Sequence, residues 1–380
     1  MKTSTLDIVP VHTQAELEEF IKLPYSLHKD DPLWIPPLLM ERRDLLDPKK
    51  NPFMKRAEVQ FWLAKRDGVA VGRISAQLDP LTAKQRGPGE GHFGLVDGED
   101  DPAIFEALTK TAEDWLRARG ATVVYGPFNL NINQEAGLLV DGHETPPMML
   151  MGHDFPHVDT HLNALGYDKV RDLHAFEWKF GDELPKMLKA FEKRGLSENM
   201  VVRPINMKKY QEEIRILGDI FNDGWSENWG FVPMVEDEIA HMAKELKPVI
   251  DPKMFWFVEV DGEPAAFIVG VPNVNEAIAD LQGKLLPFGW AKLLWRLKVK
   301  GLKTVRVPLL GVRKKHQATV LGPRIVGNLM LKIHKAQEDR GTETLEMSWV
   351  LEDNHAMISL AGKMGGRHYK TYRVYQKSLT

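Results

Sequence analysis

Residues 304–322, TVRVPLLGVRKKHQATVLG, decide how this chain is read. Val305, Val307 and Leu309 alternate as in a buried strand. The strand breaks into a short cationic loop, Arg313-Lys314-Lys315-His316-Gln317. Beyond Gly322 the spacing of Ile325, Leu329 and Ile333 predicts a helix over 325–337. A strand, a basic loop and a helix N-terminus together make a seat for an anion. The first helical N–H groups lack intrahelical partners, and the macrodipole adds positive potential there.

Downstream, Thr344–Val350 reads as the next strand, and Asn354-His355-Ala356 opens a helix that ends at Gly365-Gly366. Gln317-Ala318-Thr319-Val320-Leu321-Gly322 resembles the Q/R-x-x-G-x-G/A loop of the GNAT acyltransferases, with Val320 where a glycine is usual. The order strand, Asn, helix, Gly is also similar to theirs. The resemblance implies that the loop cradles the pyrophosphate of an acyl-CoA. A plain strand–loop–helix crossover is the alternative.

The chain has 380 residues, more than one small core accommodates, so two domains are expected. A net charge of −3 gives no nucleic-acid signature. The absence of cysteine removes disulfides, a thiol nucleophile and thiolate metal sites. No histidine cluster has metal-ligand spacing, so no metal is expected. The opening MKTSTLDIVPV lacks a long apolar region, and no run of 18 apolar residues exists. A cytoplasmic protein is expected, on the inner face of the membrane if it touches one.

Asp7–Val11 reads as an opening strand, and Thr13 with Glu16 as a capping box for a helix over 14–23. The segment Asp30–Pro37, DDPLWIPP, reads as a strap packed over a cleft or core. Phe61–Asp67 and Val69–Asp79 form a hairpin around Asp67-Gly68. FWLAKRDG at Phe61 and FWFVEVDG at Phe255 match at Phe, Trp, Asp and Gly. Arg119-Gly120 and Arg340-Gly341, then Leu165-Gly166 and Met364-Gly365, recur in the same order. The chain therefore reads as two copies of one α/β unit, 1–180 and 181–380, each a mixed sheet flanked by helices.

The copies differ. The first carries Asp97-Gly98-Glu99-Asp100-Asp101-Pro102 where the second carries its cations, and these carboxylates repel phosphate. Only the second copy is expected to hold acyl-CoA. The first has an amide-rich run, Gly126–Gly137, with Asn129, Asn131 and Glu135, followed by His153-Asp154. It reads either as a substrate-cleft wall or as a turn-rich core connection. Residues 209–245 read as helix, loop, helix, with Trp225, Trp229 and Phe231 in the loop as core pins or as the wall of an acyl pocket.

From Gln282 to Gln337 there is no acidic residue. Within this span Leu285–Leu297, LLPFGWAKLLWRL, is a basic, Trp-rich helix suited either to an anionic membrane surface or, with snorkelling lysines, to the core. The same charge would attract CoA phosphates or an acidic acyl carrier protein.

DDPLWIPP, FWLAKRDGVAVGRISA, GPFNLNINQEAGLLVDG and the closing GGRHYKTYRVYQ are similar to a tandem GNAT-like family that includes the bacterial ceramide synthases. The resemblance implies transfer of a fatty acyl group from an acyl thioester to the amine of a sphingoid base or similar long-chain amine. Acyl-CoA then enters as a co-substrate, with no permanently bound cofactor. It also implies that backbone N–H groups at Leu310, Gly311 and Val312 bind the thioester carbonyl, and that Arg313, Lys314, Gln317, Thr319, Gly322 and Asn354 hold the coenzyme. The tyrosine that often protonates the thiolate in GNAT proteins falls at Ala361 here, leaving Tyr369 or Tyr372 as substitutes. Glu135 and His153 are the candidate bases, against the plainer reading of structural hydrogen bonds. Asn129, Asn131 and Trp229 are the candidate substrate contacts. An aminoacyl- or peptide-transferring tandem GNAT enzyme and a non-catalytic acyl-CoA-binding regulator remain the alternatives.

Overall fold

The computed structural model describes residues 5–181, 183–248, 250–338 and 341–380. The principal strands, in chain order, are β1 (Leu6–Pro10), β2 (Glu58–Arg66), β3 (Val69–Leu78), β4 (Glu90–Gly98), β5 (Val123–Gly126) and β6 (Asp168–Lys179). They continue with β7 (Met200–Pro204), β8 (Phe255–Val260), β9 (Glu263–Pro272), β10 (Thr304–Val312), β11 (Thr344–Leu351) and β12 (Arg367–Ser378). The principal helices are α1 (Gln14–Leu27), α2 (Leu39–Leu45), α3 (Pro102–Arg117), α4 (Pro156–Ala164) and α5 (Lys186–Arg194). The series closes with α6 (Tyr210–Gly224), α7 (Glu236–Leu246), α8 (Gly289–Trp295), α9 (Leu321–Glu338) and α10 (His355–Lys363).

Contacts divide the chain into two units. Unit 1 comprises Met1–Leu173, Ile278–Leu286 and Lys370–Thr380; unit 2 comprises His174–Ala277 and Pro287–Tyr369. The sequence places one boundary at 180/181; by contacts the chain changes unit at 173/174, and Ile278–Leu286 and Lys370–Thr380 fall with unit 1. Sequence order alone does not show that β12 returns the chain to unit 1, where Tyr375–Ser378 pair with Gly126–Val123 of β5.

Each unit repeats one sheet order. In unit 1, β1 to β4 are antiparallel neighbours and β4 runs parallel to β5. In unit 2, β7 to β10 are antiparallel neighbours and β10 runs parallel to β11. The matching hairpins turn on Asp67-Gly68 and Asp261-Gly262, all at positive φ, as two-residue turns require. The aligned Arg340-Gly341 pair lies partly outside the described residues, because Arg340 is one of those not described.

Local chemistry explains the helix ends. The Glu16 N–H donates to Thr13 Oγ1 at 3.2 Å, and Glu16 Oε2 accepts from the Thr13 N–H at 2.8 Å, completing the capping box. The apolar side of α9, with Ile325, Leu329 and Ile333 fully buried, covers one face of the unit 2 sheet over Val305, Val307, Leu345 and Met347. In unit 1, α3 buries Ile104, Phe105, Leu108 and Leu116 in the corresponding core. Helix α9 begins at Leu321, earlier than the apolar spacing predicts, because Thr319 Oγ1 accepts from the Leu321 N–H at 3.2 Å.

Candidate acyl-CoA site

The two parallel strands of unit 2 form a fork. Their pairing runs from Thr304↔Thr344 to Val307↔Met347 and stops there. Pro308 follows. The Arg313 N–H donates to Ala265 O at 2.8 Å, so strand alternation turns the N–H groups of Leu310 and Val312 away from β9 and into the fork. Between Arg306 and Leu309 the register with β9 shifts, a bulge that contains Pro308, which has no N–H to donate. Gly311 faces β9 opposite Phe267. Of the three expected carbonyl-binding positions, Leu310 and Val312 therefore present donors to the fork.

The cationic loop is a short helical turn, Lys314–Gln317, between β10 and α9. Its charges are met by carboxylates of α6, of the segment after α6 and of β9. Arg313 pairs with Asp219, Lys314 Nζ with Glu227 at 2.8 Å, and Lys315 Nζ with Glu263 at 2.6 Å. The Lys314 N–H donates to Asp223 Oδ2 at 2.9 Å. Gln317 tethers the loop: its amide donates to Val312 O at 2.7 Å and to Gly224 O at 2.8 Å. A Cβ at Gly224 would stand 2.4 Å from Val312 O, so glycine is needed where α6 meets the end of β10. Thr319 Oγ1 donates to His316 O at 2.7 Å. A Cβ at Gly322 would meet Gln317 O at 2.7 Å. Asn354 caps α10, its Oδ1 accepting from the Met357 N–H at 3.1 Å.

Unit 1 opens the same fork and fills it. Pairing of β4 with β5 ends at His92↔Tyr125. A Cβ at Gly94 would lie 1.8 Å from Phe128 O, so the segment after β5 runs directly against β4. Asn129 Oδ1 accepts the Leu95 N–H at 2.8 Å, and Gln77 Nε2 donates to Phe128 O and Leu130 O. At the adjoining helix, Asp101 caps α3 with its own carboxylate, accepting from the Ala103 N–H at 2.9 Å. Arg66 pairs with Glu99 and Asp101. A phosphate would meet carboxylate there, as the acidic sequence implies.

The expected base residues have defined partners in unit 1. Glu135 Oε1 accepts from Arg42 Nη2 at 2.6 Å, and Oε2 from Asn129 Nδ2 at 2.9 Å. Burial opposes ionisation of Glu135, but the Arg42 charge and these two bonds outweigh it and hold the carboxyl below its usual range. His153 Nε2 lies 3.0 Å from Asp31 Oδ2 at the start of the strap. Burial, opposed by Asp31, holds this imidazole below the usual histidine range. Trp34 of the same strap stacks on His28. Asn131 Oδ1 accepts the Asn133 N–H at 2.9 Å. Phe231 is buried against Phe221, while Trp229 is half-buried. Ala361 is fully buried, as is Tyr372, and the Tyr369 phenol donates to Glu346. Among the described residues no cluster of His, Asp and Glu suits a metal ion.

No family model matches the chain. It is 52% identical over 375 residues to the bacterial ceramide synthase of Caulobacter vibrioides (strain NA1000 / CB15N), covering 98% of each. It is 46% identical over 369 residues to protein YghO of Escherichia coli (strain K12), covering 96% of this chain and 93% of that protein. The chain belongs to the ceramide-synthase-like family of tandem GNAT proteins. Among solved structures, a tandem GNAT protein from the clavulanic acid biosynthesis pathway shares the fold over 99% of both chains, with a TM-score of 0.56 and 11% identity. A GCN5-related N-acetyltransferase from Sphaerobacter thermophilus does so over 98% of this chain and 96% of that one, with a TM-score of 0.53 and 12% identity.

As a member of the ceramide-synthase-like family, the protein is an acyl-CoA-dependent N-acyltransferase with acyl-CoA as co-substrate. Sequence reasoning missed two groups within this family framework. Asp154, whose Oδ2 accepts the Leu139 N–H at 2.9 Å, is pushed up to about 7 by burial, with Asp97 and Glu135 adding negative charge. Arg306 and Glu346 lie buried in unit 2 and are joined through Ser348. A signal existed for the second group: each strand carries one charge in an apolar run, TVRVPLL and TLEMSWV.

Proposed function

We propose that the protein transfers a long-chain fatty acyl group from acyl-CoA to the amine of a sphingoid base or a similar long-chain amine, forming a ceramide-type amide. The observation that carries this reading is the open fork of unit 2 beside a cationic turn, set against the filled, acidic equivalent in unit 1. In this reading the pyrophosphate takes Arg313 and Lys314 from their surface carboxylates. The thioester carbonyl accepts from the N–H groups of Leu310 and Val312, which are preorganised for the developing oxyanion. Gln317, Thr319, Gly322 and Asn354 fix the loop and helix ends around the coenzyme. Glu135 and Asn129 hold the amide-rich segment of unit 1 in shape. His153 holds the strap.

Docking on an anionic membrane belongs to the same reading. Phe288 is 77% exposed, Trp290 51% and Trp295 53%, which disfavours a core role for α8. Leu286 and Val299 are exposed beside them, together with Lys298 and Lys300 and no acidic neighbour in sequence. Apolar rings with a lysine rim fit an anionic lipid interface. No helix among the described residues is long and apolar enough to cross a membrane.

The test is single-turnover reaction of purified protein with palmitoyl-CoA and sphinganine, followed by mass spectrometry. Formation of N-palmitoyl-sphinganine is expected. Acyl-CoA binding without transfer to any long-chain amine would instead support a non-catalytic regulator.

A further inference from the structure

Three side chains lie buried on one face of the unit 2 sheet where the fork opens. Arg306 of β10 is 2% exposed, Glu346 of β11 0% and Ser348 2%. Even spacing places Glu346 and Ser348 on the same face of β11. Arg306 Nε donates to Ser348 Oγ at 2.9 Å, and Nη2 donates to Ser348 O at 3.2 Å. Ser348 Oγ donates to Glu346 Oε1 at 2.5 Å. The Tyr369 phenol donates to Glu346 Oε2. The Arg306 guanidinium stands 3.5 Å from Glu346 and lies over the Trp349 ring.

The position of this chain of groups matters as much as its bonding. Met347 is the last residue of β11 paired with β10, so Ser348 is the first beyond the pairing. It stands at the vertex of the fork that the Leu310 and Val312 N–H groups enter. Removing two charged groups from water is costly unless hydrogen bonds offset it. Here the carboxylate is placed so that the hydroxyl at the fork bonds to it directly.

We infer that Ser348 and Glu346 form the proton path of the transfer, with Ser348 as the catalytic residue and Glu346, Arg306 and Tyr369 as positioning residues. This rests on the reading that acyl-CoA occupies the unit 2 fork. The neutral amine attacks the thioester carbon, forming the C–N bond. Its departing proton goes to Ser348 Oγ as the serine proton passes to Glu346 Oε1. The C–S bond breaks, and the same path in reverse returns a proton to the coenzyme thiolate. Atoms and charge balance, and no further reactant is needed. Tyr369 then acts through Glu346 and does not need to reach the sulfur.

The test compares Ser348→Ala, Ser348→Thr and Tyr369→Phe with the wild type in single-turnover transfer from palmitoyl-CoA to sphinganine. Coenzyme affinity by calorimetry and thermal melts accompany the rates. Ser348→Ala is expected to lower the transfer rate about 10²-fold or more with unchanged palmitoyl-CoA affinity, and Ser348→Thr to recover most of the loss. Tyr369→Phe removes a donor from the carboxylate and is expected to change the pH profile of kcat/KM. A Ser348→Ala protein that transfers at the wild-type rate overturns the path, as does a Tyr369→Phe profile superimposable on the wild type. Wild-type protein that binds palmitoyl-CoA yet acylates no long-chain amine overturns the functional reading itself, and the path with it.

Discussion

Val307 faces Met347 in the last paired register of β10 and β11, and beyond that pair the strands part. A register shift against β9 between Arg306 and Leu309 accompanies the parting, and Pro308 within it has no N–H to donate. Beyond that shift Leu309–Val312 pair with β9 again, which leaves the N–H groups of Leu310 and Val312 on the fork side. Leu310→Pro removes one of these donors and spares that ladder. Single-turnover transfer is expected to slow about 10²-fold, with folding and palmitoyl-CoA affinity nearly retained. An unchanged rate would show that the Leu310 N–H does not bind the carbonyl.

Charge reversal of the loop tests the coenzyme seat. Arg313→Glu with Lys314→Glu sets new negative charge beside Asp219, Asp223 and Glu227. Calorimetry is expected to show palmitoyl-CoA binding weakened by at least about tenfold, with wild-type affinity itself falling as salt rises. Equal affinities would place the phosphates elsewhere.

Much of the local fold was legible in sequence. The hairpin pair, the capping box and the cationic turn are local patterns, and the structure carries each of them. The acidic partners of the turn were not legible, because Asp219, Asp223 and Glu227 lie about ninety residues earlier and reach it only through the packing of α6. The amide-rich segment shows the same limit. Its alternating amides suggested a lining, whereas Asn129 fills the unit 1 fork and bonds to Glu135, contacts that depend on tertiary register.

Glu135 offers a direct contrast between an anchor and a base. Glu135→Gln takes from the buried Arg42 its closer carboxylate and leaves only Glu41 at 3.6 Å, so a stability loss on the order of 3 kcal/mol is expected. As an anchor, its loss should leave the pH profile of the remaining activity unmoved. Loss of one limb of the kcat/KM profile in Glu135→Gln, or in His153→Ala alongside it, would return that residue to the role of base.

Asp154 sets a pH-dependent stability term. Its folded carboxyl titrates at about 7, well above an ordinary aspartate. Between about 4 and about 7 the folded state keeps a proton that the unfolded chain has released. The group's contribution is therefore greatest at low pH and is lost as pH rises through 7. Asp154→Asn lacks this titration, so its stability relative to wild type is expected to rise from pH 5 to pH 8, by on the order of 1–2 kcal/mol in denaturant melts. A pH-independent difference would mean that Asp154 is ionised throughout.

For the membrane surface, Trp290→Ser with Trp295→Ser is expected to release the protein from phosphatidylglycerol vesicles without lowering its melting temperature, since both rings are largely exposed. Unfolding of the double variant would instead mark the helix as part of the core.

Hydrogen exchange with and without a non-hydrolysable thioether analogue of palmitoyl-CoA tests the central claim most directly. Two copies of one fold are present; in the first Asn129 fills the fork, and in the second the strands part beside the cationic turn. The account predicts new protection across residues 309–322 and none at the acidic turn, residues 97–103. Protection centred on that acidic turn, with residues 309–322 unchanged, would contradict it.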